Sequence, residues 1–127
     1  MAPKPDFAPV FAALRKVLAT QAGKLSVSED SANRYTLLTR SPSPFPQHKG
    51  QPMWFAEVRT GKAYVSLHLM ALYMNDDLAA TISPALKKRM QGKTCFNFTS
   101  IPEPALLAEL RRLTKASVLA FAQRKWL

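Results

Sequence analysis

The residues with most chemical potential lie between Met53 and Met70, in the run MWFAEVRTGKAYVSLHLM. Tyr64, Ser66 and His68 occupy every second position, and Glu57 stands before the Thr60-Gly61-Lys62 break. A hydroxyl, an imidazole and a carboxylate are the parts of an acyl-transfer site, where a base activates the nucleophile and a third group orients the base. Spacing argues against that use. Residues two apart on one strand are about 6.5–7 Å apart at the backbone, which is wide for direct contact. Ser66 also lacks the Gly-x-Ser-x-Gly turn that exposes a nucleophile. Strand alternation accounts for the same residues. A tight turn at Thr60-Gly61 or Gly61-Lys62, with Gly supplying a positive φ, pairs two strands. Trp54, Ala56 and Val58 then share a core face with Val65, Leu67 and Leu69, leaving Phe55, Glu57, Arg59, Tyr64, Ser66 and His68 on the wetter side. This pattern predicts no catalytic residue, and a ligand-binding face built from Phe55, Glu57, Tyr64, Ser66 and His68.

Other chemistries find less support. His48 and His68 are the only histidines, and with Cys95 and scattered carboxylates they give no zinc spacing, so no metal site or cofactor is expected. The paired carboxylates Asp76-Asp77 suit the start of a helix, where negative charge is favoured. RTGK and MQGKT each set Gly beside Lys, but neither completes a nucleotide-binding loop. Cys95 falls inside an expected strand, with only Lys93 nearby to lower its pKa, and reads as a small core residue.

The elements that would position these groups can be traced along the chain. Residues 1–5 form a short leader. Asp6 caps a helix whose apolar face is Phe7, Val10, Phe11, Leu14, Val17 and Leu18. KLSVSED and RYTLLTR are strands around a polar turn. SPSPFPQHKGQP, residues 41–52, holds four prolines in twelve residues and reads as an extended loop. After the central hairpin, NDDLAATI gives a helical turn, and Ser83-Pro84 starts a short helix through ALKKRMQ that Gly92 ends. KTCFNF is a last strand. A long helix from about Pro104 to Lys125 carries an apolar stripe of Leu106, Leu107, Leu110, Leu113, Ser117 and Phe121. The order helix, hairpin-linked strands, helix, strand, helix predicts a single α+β domain over 1–127, with a mostly antiparallel sheet of about five strands flanked by N- and C-terminal helices.

Bulk properties bound the partners. The 127 residues are 47% apolar, enough for one packed core. Eighteen Lys and Arg oppose eight Asp and Glu, a formal charge of +10 that attracts polyanions. Lys87, Lys88, Arg89 and Lys93 lie close together, and Arg111 and Lys115 add to them from the last helix. These six are the candidates for nucleic-acid or other polyanion binding. No helix-turn-helix, zinc finger or aromatic RNA-binding signature accompanies them. One cysteine excludes an internal disulfide. Prolines break the N-terminal stretch where a secretory signal would stand, and no apolar run approaches the roughly 20 residues of a membrane span. A cytoplasmic domain is expected.

A family resemblance rests on three parts of the chain. MWFAEVRTGKAYVSLHLMALY, the helix after it, and MQGKTCFNF before a leucine-rich helix resemble the YdhG-like small bacterial domains of unknown function. The marks are the Phe55 strand, Gly61-Lys62, Tyr64 to Leu67, and Gly92-Lys93 followed by Cys95 and Phe98, over roughly Pro52 to Leu113. The resemblance implies an antiparallel α+β domain and, for most members, no assigned activity. Some relatives are regarded as frataxin-like iron chaperones, a role that needs carboxylate oxygens. The basic charge of this chain speaks against carrying that role over, and the proline loop has no counterpart in the family. The expectation is a binding or accessory module for a small ligand or protein partner.

Overall fold

The computed structural model describes residues 6–127, and the leader expected at residues 1–5 lies outside them. Helix α1 (Ala8–Ala19) leads into strands β1 (Ser26–Asp30), β2 (Arg34–Pro42), β3 (Pro52–Thr60) and β4 (Val65–Leu69). Three short helices follow: α2 (Ala71–Met74), α3 (Asp76–Ala79) and α4 (Pro84–Lys87). Strands β5 (Met90–Gln91) and β6 (Cys95–Phe98) precede the long helix α5 (Pro104–Gln123). The strands make one sheet of six in the order β1-β2-β3-β4-β6-β5, and every pairing is antiparallel. The α+β class is as expected. The added strand is β5, which takes Met90-Gln91 out of the helix predicted for ALKKRMQ. Gly92, at φ 75°, makes the turn into β6 instead of ending that helix.

Helices α1 and α5 cover one face of the sheet, where Leu14, Val17, Leu18, Leu110, Leu113 and Phe121 meet Leu37, Val58, Leu67 and Phe96. The cap of α1 is Phe7, not the expected Asp6, and it makes no side-chain capping bond; Asp6, one residue earlier, accepts the N–H of Ala8 at 3.0 Å. Arg15 ties α1 to the sheet: it donates to Asp30 at 2.7 Å and lies 4.5 Å from the Tyr35 ring centre. At the other end, Ser83 donates through its N–H and Oγ to the Glu109 carboxylate at 2.7 and 2.6 Å, fixing the start of α4 against α5. The hydroxyls of Thr114 and Ser117 are buried, and each donates to the carbonyl four residues back.

The β2–β3 ladder shifts register twice, between Leu37 and Leu38 and again between Leu38 and Pro42, and the first shift falls inside β3. Leu37 pairs with Ala56 but Leu38 pairs with Trp54, so Phe55 is an extra residue and the strand bulges. A bulge reverses which side chains face the core on either side of it. Phe55 and Ala56 are therefore both fully buried, and Phe55 meets Phe121 edge-on with ring centres 5.0 Å apart. Trp54, expected in the core, faces outward. Phe55, expected on the polar face, does not reach it. β1 carries a second bulge between Val27 and Glu29.

The turn between β3 and β4 also differs from the expected two-residue hairpin. It runs from Gly61 to Tyr64, closed by the Gly61 N–H donating to the Tyr64 carbonyl at 2.8 Å. A Cβ on Gly61 would lie 3.2 Å from that carbonyl, so close approach and not a positive φ calls for glycine here. The longer turn sets Glu57 opposite His68 and Arg59 opposite Ser66. The proline segment is a loop only between its ends, because Ser41 and Pro42 finish β2 and Pro52, paired with Pro42, opens β3; between them lies a single helical turn at Pro46–His48. Phe45 packs edge-on against Trp126, at 5.6 Å between ring centres, and Trp126 against Phe121 at 5.2 Å.

Because the bulge sends Phe55 inward and Trp54 outward, the two aromatics differ in cost of removal. Phe55→Ala is expected to destabilise by about 3–5 kcal/mol in urea denaturation, and Trp54→Ala by about 1 kcal/mol. The reverse ranking would refute the register.

Candidate functional site

Among the described residues, no helix covers the second face of the sheet. Antiparallel partners share a face, so Glu29, Thr36, Glu57, His68, Cys95 and Gln91 form one row across it. Arg34, Arg59, Ser66 and Asn97 form the next row. The expected companions Glu57, Ser66 and His68 are thus together on the outer face, with Tyr64 in the turn at its edge. Cys95 is with them, half-buried beside His68, and is not the core residue expected.

Their hydrogen bonds do not make a catalytic relay. Ser66 donates to Asn97 Oδ1 at 2.8 Å, and the same oxygen accepts the Cys95 thiol at 3.1 Å. Asn97 Nδ2 donates to Gln91 Oε1 at 2.8 Å, which also accepts the Tyr64 hydroxyl at 3.4 Å. Glu57 turns toward β2, accepting Thr36 Oγ1 at 2.9 Å and Arg34 Nε at 3.3 Å. Among the described residues, no hydrogen bond joins any two of Glu57, Ser66 and His68. The ring of His68 packs instead against Trp54, 5.7 Å between centres.

Electrostatics keeps the centre of the face neutral. Burial holds the His68 imidazole below its ordinary pKa of 6.5; Glu57 opposes the shift and Arg59 adds to it. Burial raises the Cys95 thiol above its usual range, with Ser66 opposing. At neutral pH the pair is imidazole and thiol, not imidazolium and thiolate, so Cys95 is not activated for attack.

A cleft of about 510 Å³ opens over this face, lined by Arg59, Lys62, Tyr64, Ser66, His68, Gln91 and Cys95 together with the backbone of the β3–β4 turn. A larger hollow, about 810 Å³, lies between the start of α1 and the loops at Ala32-Asn33 and Thr60 to Lys62. It gathers none of Tyr64, Ser66, His68 and Cys95, so the smaller cleft is the candidate. Sequence reasoning missed Asn97 and Gln91, which organise the polar network, and Trp54, which the bulge concealed. Arg59 was visible from alternation alone.

The six basic candidates are all exposed. Lys87, Lys88 and Arg89 end and follow α4, Lys93 sits in the β5–β6 turn, and Arg111 and Lys115 lie one turn apart on α5. Lys87 and Lys93 share a shallow hollow with Asp76. None of the six lines the cleft. Among the described residues, no three His, Cys, Asp or Glu side chains come together as a metal site, and no helix is long and apolar enough to cross a membrane. Comparison of the chain with protein-family models, with curated proteins and with solved structures found no match.

Two measurements check this electrostatic picture. The unfolded chain takes up a proton at His68 at higher pH than the folded chain does. The stability contributed by neutral His68 is therefore intact above 6.5 and falls as pH drops through the window below it. In NMR titration its ring protons are expected to shift with a midpoint under 6.5, and His68→Gln should lose less stability than the parent on acidification. A midpoint above 6.5 would contradict the burial. Separately, alkylation of Cys95 by iodoacetamide near neutral pH is expected to run slower in the folded chain than in urea; a faster folded-state rate would mark an activated thiol.

Proposed function

We propose that the protein is a non-enzymatic binding module whose open sheet face takes up a compact anionic ligand, such as a small carboxylate or phosphate. The observation that carries this reading is the charge of the cleft. Arg59 and Lys62 line it, no carboxylate does, and neither cation has an ion-pair partner among the described residues. Arg34, the cross-strand neighbour of Arg59, is already engaged by Glu29 and Glu57. Arg59 can thus give its guanidinium fork to a carboxylate or phosphate. Ser66, Gln91 and Tyr64 supply hydroxyl and amide groups around it, and the cleft volume lies within the roughly 300–1,000 Å³ usual for small-ligand sites. Ser66 is committed to Asn97 and has no base, which favours binding over hydrolysis. Kinship with YdhG-like domains is part of this proposal. Its support is the antiparallel α+β arrangement and the motif from Phe55 to Phe98, and a fold alone does not assign a ligand.

Polyanion binding is the second reading. Lys87, Lys88, Arg89, Lys93, Arg111 and Lys115 favour it because none forms an ion pair among the described residues. Its mark is affinity for DNA or RNA that falls steeply with salt.

Amide chemical-shift titration against a panel of small carboxylates and phosphates separates the two. Shifts at Arg59, Ser66 and His68 are expected, weakened at least about tenfold by Arg59→Glu with Lys62→Glu. If the panel leaves those amides unmoved while oligonucleotides shift Lys87 to Lys93, the cleft reading fails and the polyanion reading replaces it.

A further inference from the structure

A second concavity, about 420 Å³, lies between the β2–β3 hairpin and α2. Its walls are apolar in character: Pro52, Met53 and Trp54 from the start of β3, Met70 at the cap of α2, and Tyr73 and Met74 within α2. His48 and Gln51 close it from the hairpin, and no carboxylate lines it. Three of the five methionines of the chain meet here. Methionine is unbranched and polarisable, so a surface built from it reshapes around different side chains. Tyr73 is 63% exposed, the most exposed of the large apolar residues. Trp54 is the outward aromatic that the β3 bulge creates.

Cations border this groove. The Lys93 ammonium lies 5.8 Å from the centre of the Tyr73 ring. Arg124 reaches the Met74 carbonyl at 3.4 Å and stands 5.1 Å from the Trp126 ring centre. Neither has a carboxylate partner among the described residues. The nearby acids of α3 do not line the groove; Asp76 belongs to the neighbouring hollow with Lys87 and Lys93.

We infer that this groove docks an acidic peptide segment of a partner protein, with one large apolar side chain seated among Trp54, Met70, Tyr73 and Met74 and flanking carboxylates on Lys93 and Arg124. The apolar lining calls for an apolar anchor. The cationic rim with no carboxylate selects the charge of what surrounds that anchor. The compact anion proposed for the sheet cleft has no apolar body to fill this groove, so the two sites take different occupants and this inference does not depend on that one.

The test uses the whole chain with its methionines labelled at the methyl carbon, and a synthetic peptide of about 15 residues carrying one Trp or Leu among Glu and Asp, a length suited to groove recognition. The Met70 and Met74 methyls are expected to shift while Met90, outside the groove, does not. Replacing the anchor by Ala, or making Tyr73→Ser, should each weaken binding about tenfold. Lys93→Glu with Arg124→Glu, both exposed, should weaken it and flatten its salt dependence while the Phe121 and Phe45 ring signals stay in place. Equal affinity for a peptide with Glu and Asp replaced by Lys would overturn the inference, as would unshifted Met70 and Met74 methyls at millimolar peptide. Saturation of the same shifts by an uncharged apolar small molecule, with the peptide inert, would also overturn it.

Discussion

Two consecutive side chains of β3, Phe55 and Ala56, enter the core together, and both faces of the molecule depend on that step. A regular strand alternates, so burying two neighbours needs one extra residue in the ladder. The peptide units left out of register still find partners: the Phe55 carbonyl accepts the Met70 N–H at 3.0 Å. Thr39 spans the gap further along, where its Oγ1 accepts the Met53 N–H and donates to the Ser41 carbonyl, both at 2.9 Å. The buried aromatic then aligns α5 through Phe121, and Trp126 carries the contact on to Phe45, so the proline hairpin, the last helix and the sheet share one aromatic stack. Such edge-on pairs add about 0.5–1.5 kcal/mol each beyond the area they bury.

On the open face the organising group is Asn97. Its carbonyl oxygen gathers Ser66 and Cys95, and its amide nitrogen reaches Gln91. A side-chain amide can accept and donate at once, so one residue satisfies groups from β4, β5 and β6 without placing a charge among them. No buried side-chain nitrogen or oxygen among the described residues lacks a partner. The positive charge of the cleft therefore comes from its rim, Arg59 and Lys62, and the neutral floor leaves that charge uncompensated.

The fold class was legible because long periodic segments carry it. The helices at 8–19 and 104–123 follow from apolar spacing, and the central strands from alternation between Val65 and Leu69. What sequence could not show was where alternation slips. In Met53-Trp54-Phe55-Ala56 four apolar residues run together, and neither parity is favoured over the other. Choosing one parity for the whole strand put Phe55 on the wet face and Trp54 in the core. Tyr64 was placed on a strand because Gly61 suggested a two-residue turn, whereas the closing hydrogen bond spans Gly61 to Tyr64. Of the cleft, Ser66 and His68 were found by parity alone, whereas Glu57 shares their face but turns to Thr36 and Arg34 and does not line it. Cys95, Asn97 and Gln91 were missed because they join the face through β6 and the two-residue β5, the last of which has too few residues to show a period.

The ends of the sheet have a consequence of their own. β1 is bulged and carries Glu29 and Asp30, and β5 is only two residues long. An outer strand that is kinked, charged or very short offers no template for another chain to extend. Growth by strand addition is blocked at both sides, while the broad polar surface between them stays uncovered. Whatever associates with this sheet meets it broadside, through side chains, and not along its margin through the backbone.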